Sequence, residues 1–151
     1  MAGDQNRSFF ANGENVVAIA DPDEWDDLGA PGSIGSFFSD MDTPAFNIAG
    51  APANTLELNF DSSWRPECCD DGDLSNDQTA IISVSYDGGQ TYNEVMYWDS
   101  SEGEFFHPDS ENENVTLALN NPAGATTAKL RFSLVNAKNC LLYTSPSPRD
   151  S

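Results

Sequence analysis

The residues best suited to chemistry in this chain form two dense runs of carboxylates. The first run, DPDEWDD, places five carboxylates within seven residues. Calcium prefers about six to eight oxygen ligands, commonly supplied by loops of this composition, so Asp21, Asp23, Asp26 and Asp27 are candidate ligands of a structural calcium ion. The alternative is an acidic loop that binds no metal and stays hydrated.

The second acidic run, DDGDLSND, has Asp71, Asp73 and Ser75 at the alternating positions of a calcium-binding loop. It departs from the EF-hand pattern, because asparagine replaces the required glycine and isoleucine replaces the bidentate glutamate. Asp71 and Asp73 are therefore candidate ligands in a metal loop of another type. The alternative is a flexible insertion whose charges remain in water.

A third candidate is the neighbouring pair Trp64 and Arg65. An indole face suits the apolar face of a pyranose and a guanidinium group suits hydroxyl oxygens, so the pair could bind a glycan. Alternatively, Trp64 packs in the core and Arg65 pairs with a carboxylate. The same two interpretations, ligand face or core layer, apply to five further aromatic residues: Tyr92, Tyr97, Trp98, Phe105 and Phe106.

The sequence offers little for catalysis. His107 is the only histidine, and it lies between Phe106 and Pro108. The chain lacks the G-x-S-x-G and H-E-x-x-H motifs and any glycine-rich phosphate loop. A pair of carboxylates of the glycosidase kind needs only two acids at the right separation, which a count of acids does not test. We expect a protein that is not an enzyme.

The charge balance narrows the set of partners. The 25 Asp and Glu residues stand against 6 Lys and Arg, which gives a formal net charge of −19. Such a surface repels phosphate backbones and anionic headgroups, so we expect neither nucleic-acid binding nor membrane insertion. The acidity is typical of a salt-rich habitat, of divalent-cation sites or of a well-hydrated surface.

The elements that must position these residues are strands. Apolar and polar residues alternate at 54–60, 79–86, 114–120 and 127–135, which predicts four half-buried strands. Weaker patterns at 15–20 and 92–98 predict two more, the latter joined to 79–86 by the glycine-rich turn DGGQ. No apolar stripe of helical spacing persists for three turns, so we predict an all-β, antiparallel β-sandwich.

The end of the chain breaks this pattern. CLLYTSPSPRD, from Cys140 to Asp150, follows directly on a well-patterned strand and has no apolar alternation. All eleven of its residues match the in-frame translation of a sequencing-library adapter. We therefore expect residues 1–139 to form a single incomplete domain and residues 140–151 to be a tail that is not native protein.

Four segments carry a family resemblance: FDSSWRPE at 60–67, QTAIISVSYDGG at 78–89, NVTLALNNPAGA at 114–125 and LRFSLVNAKN at 130–139. Together they resemble the MAM-like, "choice-of-anchor" jelly-roll domains of secreted multidomain bacterial proteins. The resemblance implies a jelly-roll-like sandwich, an extracellular location with the signal peptide outside this fragment, and other domains of the same parent chain as partners.

The resemblance implies a non-catalytic accessory module of a larger secreted protein. The acidic runs and the pair Trp64 and Arg65 add the expectation that the module is calcium-stabilised and binds a glycan or a cell-surface ligand. Two alternatives stay open. One is a purely structural spacer or adhesion domain, and the other is a jelly-roll enzyme that acts on carbohydrate.

Overall fold

The computed structural model describes residues 10–13, 16–20, 36–66, 78–101 and 103–138. These residues contain seven β-strands and no helix, and therefore no helix that could cross a membrane. In chain order the strands are β1 (Ser36–Asp42), β2 (Phe46–Asn47), β3 (Glu57–Trp64), β4 (Thr79–Ser85), β5 (Asn93–Asp99), β6 (Ser110–Ala118) and β7 (Thr127–Lys138).

The strands form two antiparallel sheets. The larger sheet has the order β1-β7-β4-β5, and the short β2 also pairs with β7. The smaller sheet consists of β3 and β6, paired from Glu57 opposite Ala118 to Trp64 opposite Ser110. Phe60 of β3 meets Phe132 of β7 edge to face, with ring centroids 6.2 Å apart, so the two sheets contact each other through their apolar faces.

The core lies between the sheets, where the alternating apolar residues meet. Leu58 and Phe60 of β3 are half-buried while Glu57, Asn59 and Asp61 are exposed, as period-two alternation requires. The buried apolar cluster at its centre consists of Ile48, Val84, Leu119, Ala128 and Leu130.

A buried asparagine closes one end of the sandwich. The Asn121 side chain is 1% exposed, and its Oδ1 accepts hydrogen bonds from the backbone N–H groups of Thr55 and Leu56 at 2.9 and 3.0 Å. Its Nδ2 donates to the carbonyl oxygen of Pro52 at 2.8 Å. The carboxamide therefore takes the place of a strand partner for the residues that enter β3.

The turn between β4 and β5 is organised by Asp87. Its carboxylate accepts hydrogen bonds from the hydroxyl and the backbone N–H of Thr91 and from the hydroxyl of Ser85. These bonds, those from Thr91 first, lower the pKa of Asp87 below its usual range. Gly88 and Gly89 have φ of 80° and 95°, a region that glycine occupies without steric cost.

An ionic network joins the edge strand β1 to its neighbour β7 in the larger sheet. Arg131 binds Asp42 through two hydrogen bonds, Nε to Oδ1 at 2.6 Å and Nη2 to Oδ2 at 2.9 Å, and Lys129 adds a third at 2.8 Å. The guanidinium carbon lies 4.3 Å from the ring centroid of Tyr92. The hydrogen bonds from Arg131, and then those from Lys129, hold the pKa of Asp42 well below its usual range.

The all-β, antiparallel, sandwich-like fold expected from the sequence is confirmed, and the strands expected at 54–60, 79–86, 92–98, 114–120 and 127–135 are present with shifted ends. The strand expected at 15–20 is wrong for the described residues 16–20, which belong to no strand. Val16 there is 92% exposed, so its apolar side chain packs against no sheet. β1 and β2 were not expected.

Candidate functional site

The six aspartates expected to bind calcium, Asp21, Asp23, Asp26, Asp27, Asp71 and Asp73, lie outside the described residues. Calcium binding by these aspartates stays a prediction. Within the described ranges, no group of three or more His, Cys, Asp or Glu residues is placed to hold a metal ion.

Trp64 lies at the end of β3, and its side chain is engaged in packing. The residue is 7% exposed and its indole lies 6.0 Å from that of Trp98, centroid to centroid. Its Nε1 donates a hydrogen bond to the carbonyl oxygen of His107 at 3.2 Å. In this arrangement most of the indole surface is covered by protein.

Arg65 is held by two carboxylates at the start of β6, those of Asp109 and Glu111. Its Nε lies 3.1 Å from Asp109 Oδ1, and its Nη1 lies 2.6 Å from Glu111 Oε1. These pairs fix the segment that leads into β6 against the end of β3. The role of Trp64 and Arg65 as a glycan platform stays a prediction, and their observed contacts are those of the packing alternative.

His107 contacts residues of β3, β5 and β6. Its ring is stacked on Trp98, with centroids 3.7 Å apart and planes 2° from parallel. Its Nε2 lies 2.8 Å from Glu113 Oε2, and its backbone N–H donates to the carbonyl oxygen of Asp99 at 2.9 Å. The only histidine of the chain therefore links β5, β6 and the loop between them.

The loop between β5 and β6 is fastened to the last residue of β5. Asp99 donates its backbone N–H to the carbonyl oxygen of Phe105 and accepts from His107, both at 2.9 Å. Asp99 Oδ1 also accepts from the backbone N–H and the hydroxyl of Ser101. Four backbone and side-chain bonds on one residue give the loop a defined path.

This fastened loop presents aromatic side chains to solvent. Phe105 is 54% exposed and Phe106 is 46% exposed, although phenylalanine is usually buried. Phe105 packs edge to face on Tyr97, with centroids 5.2 Å apart. We call Tyr97, Phe105 and Phe106 the aromatic loop site. Rings that are exposed but held in place can stack on a ligand without a large loss of conformational entropy.

The outer face of the small sheet offers a second polar surface, which we call the polar ladder: Asn59, Asp61, Asn114 and Thr116. The Asn59 Nδ2 donates to Thr116 Oγ1 at 2.8 Å, and the Asn114 Nδ2 donates to Asp61 Oδ1 at 3.2 Å. Asn12 also binds this face, through its Nδ2 to Asp61 Oδ1. The ladder's polar groups are thus largely used on one another, which leaves less capacity for a ligand.

The aromatic residues of the aromatic loop site can be named from the sequence, but the residues that fix the loop in place cannot. Asp99 and Glu113 gave no signal, because Asp99 binds Phe105 and His107 through its backbone and Glu113 lies in a polar run without a motif. The pairing of Glu113 with His107 depends on the return of the chain from the loop into β6. Only the register of β3 with β6 shows where that return occurs.

A comparison of the chain with models of known families, with curated proteins and with solved structures finds no match in any of the three.

Proposed function

We propose that this chain is a non-catalytic, extracellular accessory module of a larger protein. The module binds a glycan, and the aromatic loop site holds that ligand. The proposal is carried by one observation, the half-exposed pair Phe105 and Phe106 on a loop fastened to β5. A structural calcium ion on the acidic runs, and attachment to other domains of one parent protein, belong to the same proposal.

The chemistry of the site favours a sugar. A pyranose has an apolar face of C–H groups that stacks on an aromatic ring, and its hydroxyls hydrogen-bond to polar groups at the rim. Tyr97 supplies a phenol beside Phe105, and the exposed Glu104 adjoins that residue in the turn. An aromatic surface with a polar rim is the arrangement that such a ligand requires.

The non-catalytic part of the proposal rests on the engagement of the one histidine. His107 is stacked on Trp98 and bonded to Glu113, so both its ring face and its Nε2 already have partners. Within the described residues its Nδ1 remains available for proton transfer, so this part of the proposal depends equally on the lack of a serine-hydrolase or zinc-protease motif in the sequence.

The experiment is a glycan array probed with the whole chain, followed by titration calorimetry with the best oligosaccharide. Replacing Phe105 and Phe106 together by alanine should lower the affinity at least roughly tenfold, since two aromatic contacts of about 1 kcal/mol each are lost. The matched control is Phe38→Ala, because Phe38 is 65% exposed but lies on β1, away from the loop.

The control should bind as the wild type does. Binding to no glycan, or equal binding by the double variant, would refute the proposal. In that case a structural spacer becomes the better account. The contacts of Trp64 with His107 and of Arg65 with Asp109 favour that role, because they are packing contacts within the domain.

A further inference from the structure

We infer that the aromatic loop site is selective for positively charged, amino-sugar glycans and disfavours acidic ones. The inference deepens the proposed function and rests on it, since it names the class of glycan that the exposed Phe105 and Phe106 would hold. It is carried by the placement of these rings in a segment rich in carboxylates.

The segment that carries the two phenylalanine rings is strongly acidic. Residues 99–113 include six carboxylates and no lysine or arginine. Arg65 is the cation that reaches this segment among the described residues, and it is shared by Asp109 and Glu111. One guanidinium group offsets one of these charges, so the segment that carries the rings keeps a net negative charge.

The acid nearest to the rings in the chain lies in the same turn. Phe106 donates its backbone N–H to the carbonyl oxygen of Gly103 at 3.4 Å, so Glu104 and Phe105 are the central residues of that turn. Both are exposed. A ligand stacked on Phe105 would therefore lie beside the Glu104 carboxylate.

Two effects then favour an ammonium group over a neutral or acidic substituent. The negative face of a phenyl ring attracts a cation, and the surrounding carboxylates add a Coulombic attraction. A uronic acid would meet the same carboxylates as a like charge and would be repelled. Because the site is exposed, salt weakens both effects, with a screening length of about 8 Å at physiological ionic strength.

The test compares three probes on the whole chain: oligomers of glucosamine, of N-acetylglucosamine and of galacturonic acid, by titration calorimetry at low and at physiological salt. We expect glucosamine oligomers to bind roughly fivefold more tightly than the acetylated oligomers at low salt, which is the size of an exposed charge interaction of about 1 kcal/mol. The preference should shrink as salt rises, and the galacturonic acid oligomer should bind weakest.

Glu104→Gln removes the nearest charge and should reduce the preference for glucosamine oligomers about threefold, as one exposed charge interaction would. Glu57→Gln is the matched control, because Glu57 is exposed at the far end of β3, roughly 20 Å along the strand from Trp64. The control should keep the full preference.

The possible outcomes separate the two claims. Glycan binding that depends on Phe105 and Phe106 but shows no preference for the amino sugar, or prefers the acidic oligomer, overturns the inference and leaves the proposed function standing. An amino-sugar preference that Glu104→Gln leaves unchanged also overturns it. Absence of binding to all three probes and to the glycan array refutes the proposed function, and the inference with it.

Discussion

Asn121 gives the sharpest test of how this sandwich is held together. Its buried carboxamide accepts two backbone hydrogen bonds, from Thr55 and Leu56, and donates one to Pro52. Asn121→Ala removes all three bonds and leaves buried backbone groups without partners. At about 1 kcal/mol for each bond, the free energy of unfolding should fall by about 2 to 4 kcal/mol.

The matched control for this change is Asn114→Ala. Asn114 also makes three side-chain hydrogen bonds, two donated to Asn59 and Asp61 and one accepted from Asn59, but it is exposed on the outer face of β6. Water replaces its partners when the side chain is removed, so the loss should stay below about 1 kcal/mol. The residue type and the number of side-chain hydrogen bonds are the same, and burial is the main difference between the two sites.

The assay is urea unfolding followed by circular dichroism, with thermal melts as a second measure. For a chain of this size the loss at Asn121 corresponds to a melting temperature lower by roughly 6 to 12 °C. Equal losses in the two variants would refute the reasoning that burial sets the worth of these bonds. A loss below about 1 kcal/mol at Asn121 would show that the loop 52–56 is held by other contacts.

Three further predictions follow from particular contacts. His107→Ala should release the aromatic loop site, seen as faster amide exchange at 103–107, while His107→Phe should retain much of the protection through its stack on Trp98; equal exchange in both variants would contradict this. The low pKa of Asp42 stabilises the fold above the usual carboxyl range and loses this effect as pH falls below about 4, so the stability gap between wild type and Asp42→Asn should narrow on acidification, and a constant gap would be the contrary result. If the acidic runs bind calcium, a chelator should lower the melting temperature and added calcium should restore it, whereas an unchanged melt rejects the metal.

The sequence predicts the strands whose two faces differ in polarity. β4 and β7 lie side by side in the large sheet, and Ile82, Val84, Leu130 and Leu134 are buried there as the alternation indicates. β3 and β6 continue beyond the predicted ends, through Ser62 and Trp64 on one strand and from Ser110 on the other. Serine and acidic residues interrupt the apolar alternation in these extensions, while the backbone still pairs.

The unpredicted strand β1 and the wrongly predicted strand at 15–20 have a common physical cause. β1 is an edge strand, SFFSDMD, with a bulge between Phe37 and Ser39, and its Asp42 is stabilised by cations from β7 rather than by burial. The apolar segment at 16–20 has the composition of a strand but, within the described structure, no paired neighbour. Pairing partners far along the chain decide both cases, and local pattern does not carry that information.

The candidate site could also be predicted only in part from the sequence. Residue types alone singled out Trp64, Arg65 and the later aromatic residues as a ligand face or a core layer. The structure separates them by exposure: Trp64 is buried, whereas Phe105 and Phe106 are exposed. The exposure of Phe105 and Phe106 follows from the backbone hydrogen bonds between Asp99 and the loop. No side-chain motif in the sequence predicts those bonds.

The most direct test of the central claim is to locate a bound oligosaccharide by amide chemical-shift mapping of the isotope-labelled whole chain. The account predicts that titration with the best glycan from the array shifts the resonances of Tyr97, Phe105 and Phe106 and leaves the polar ladder unchanged. Shifts confined to Asn59, Asp61 and Asn114 on the outer face of the small sheet would contradict it and would place the ligand there instead.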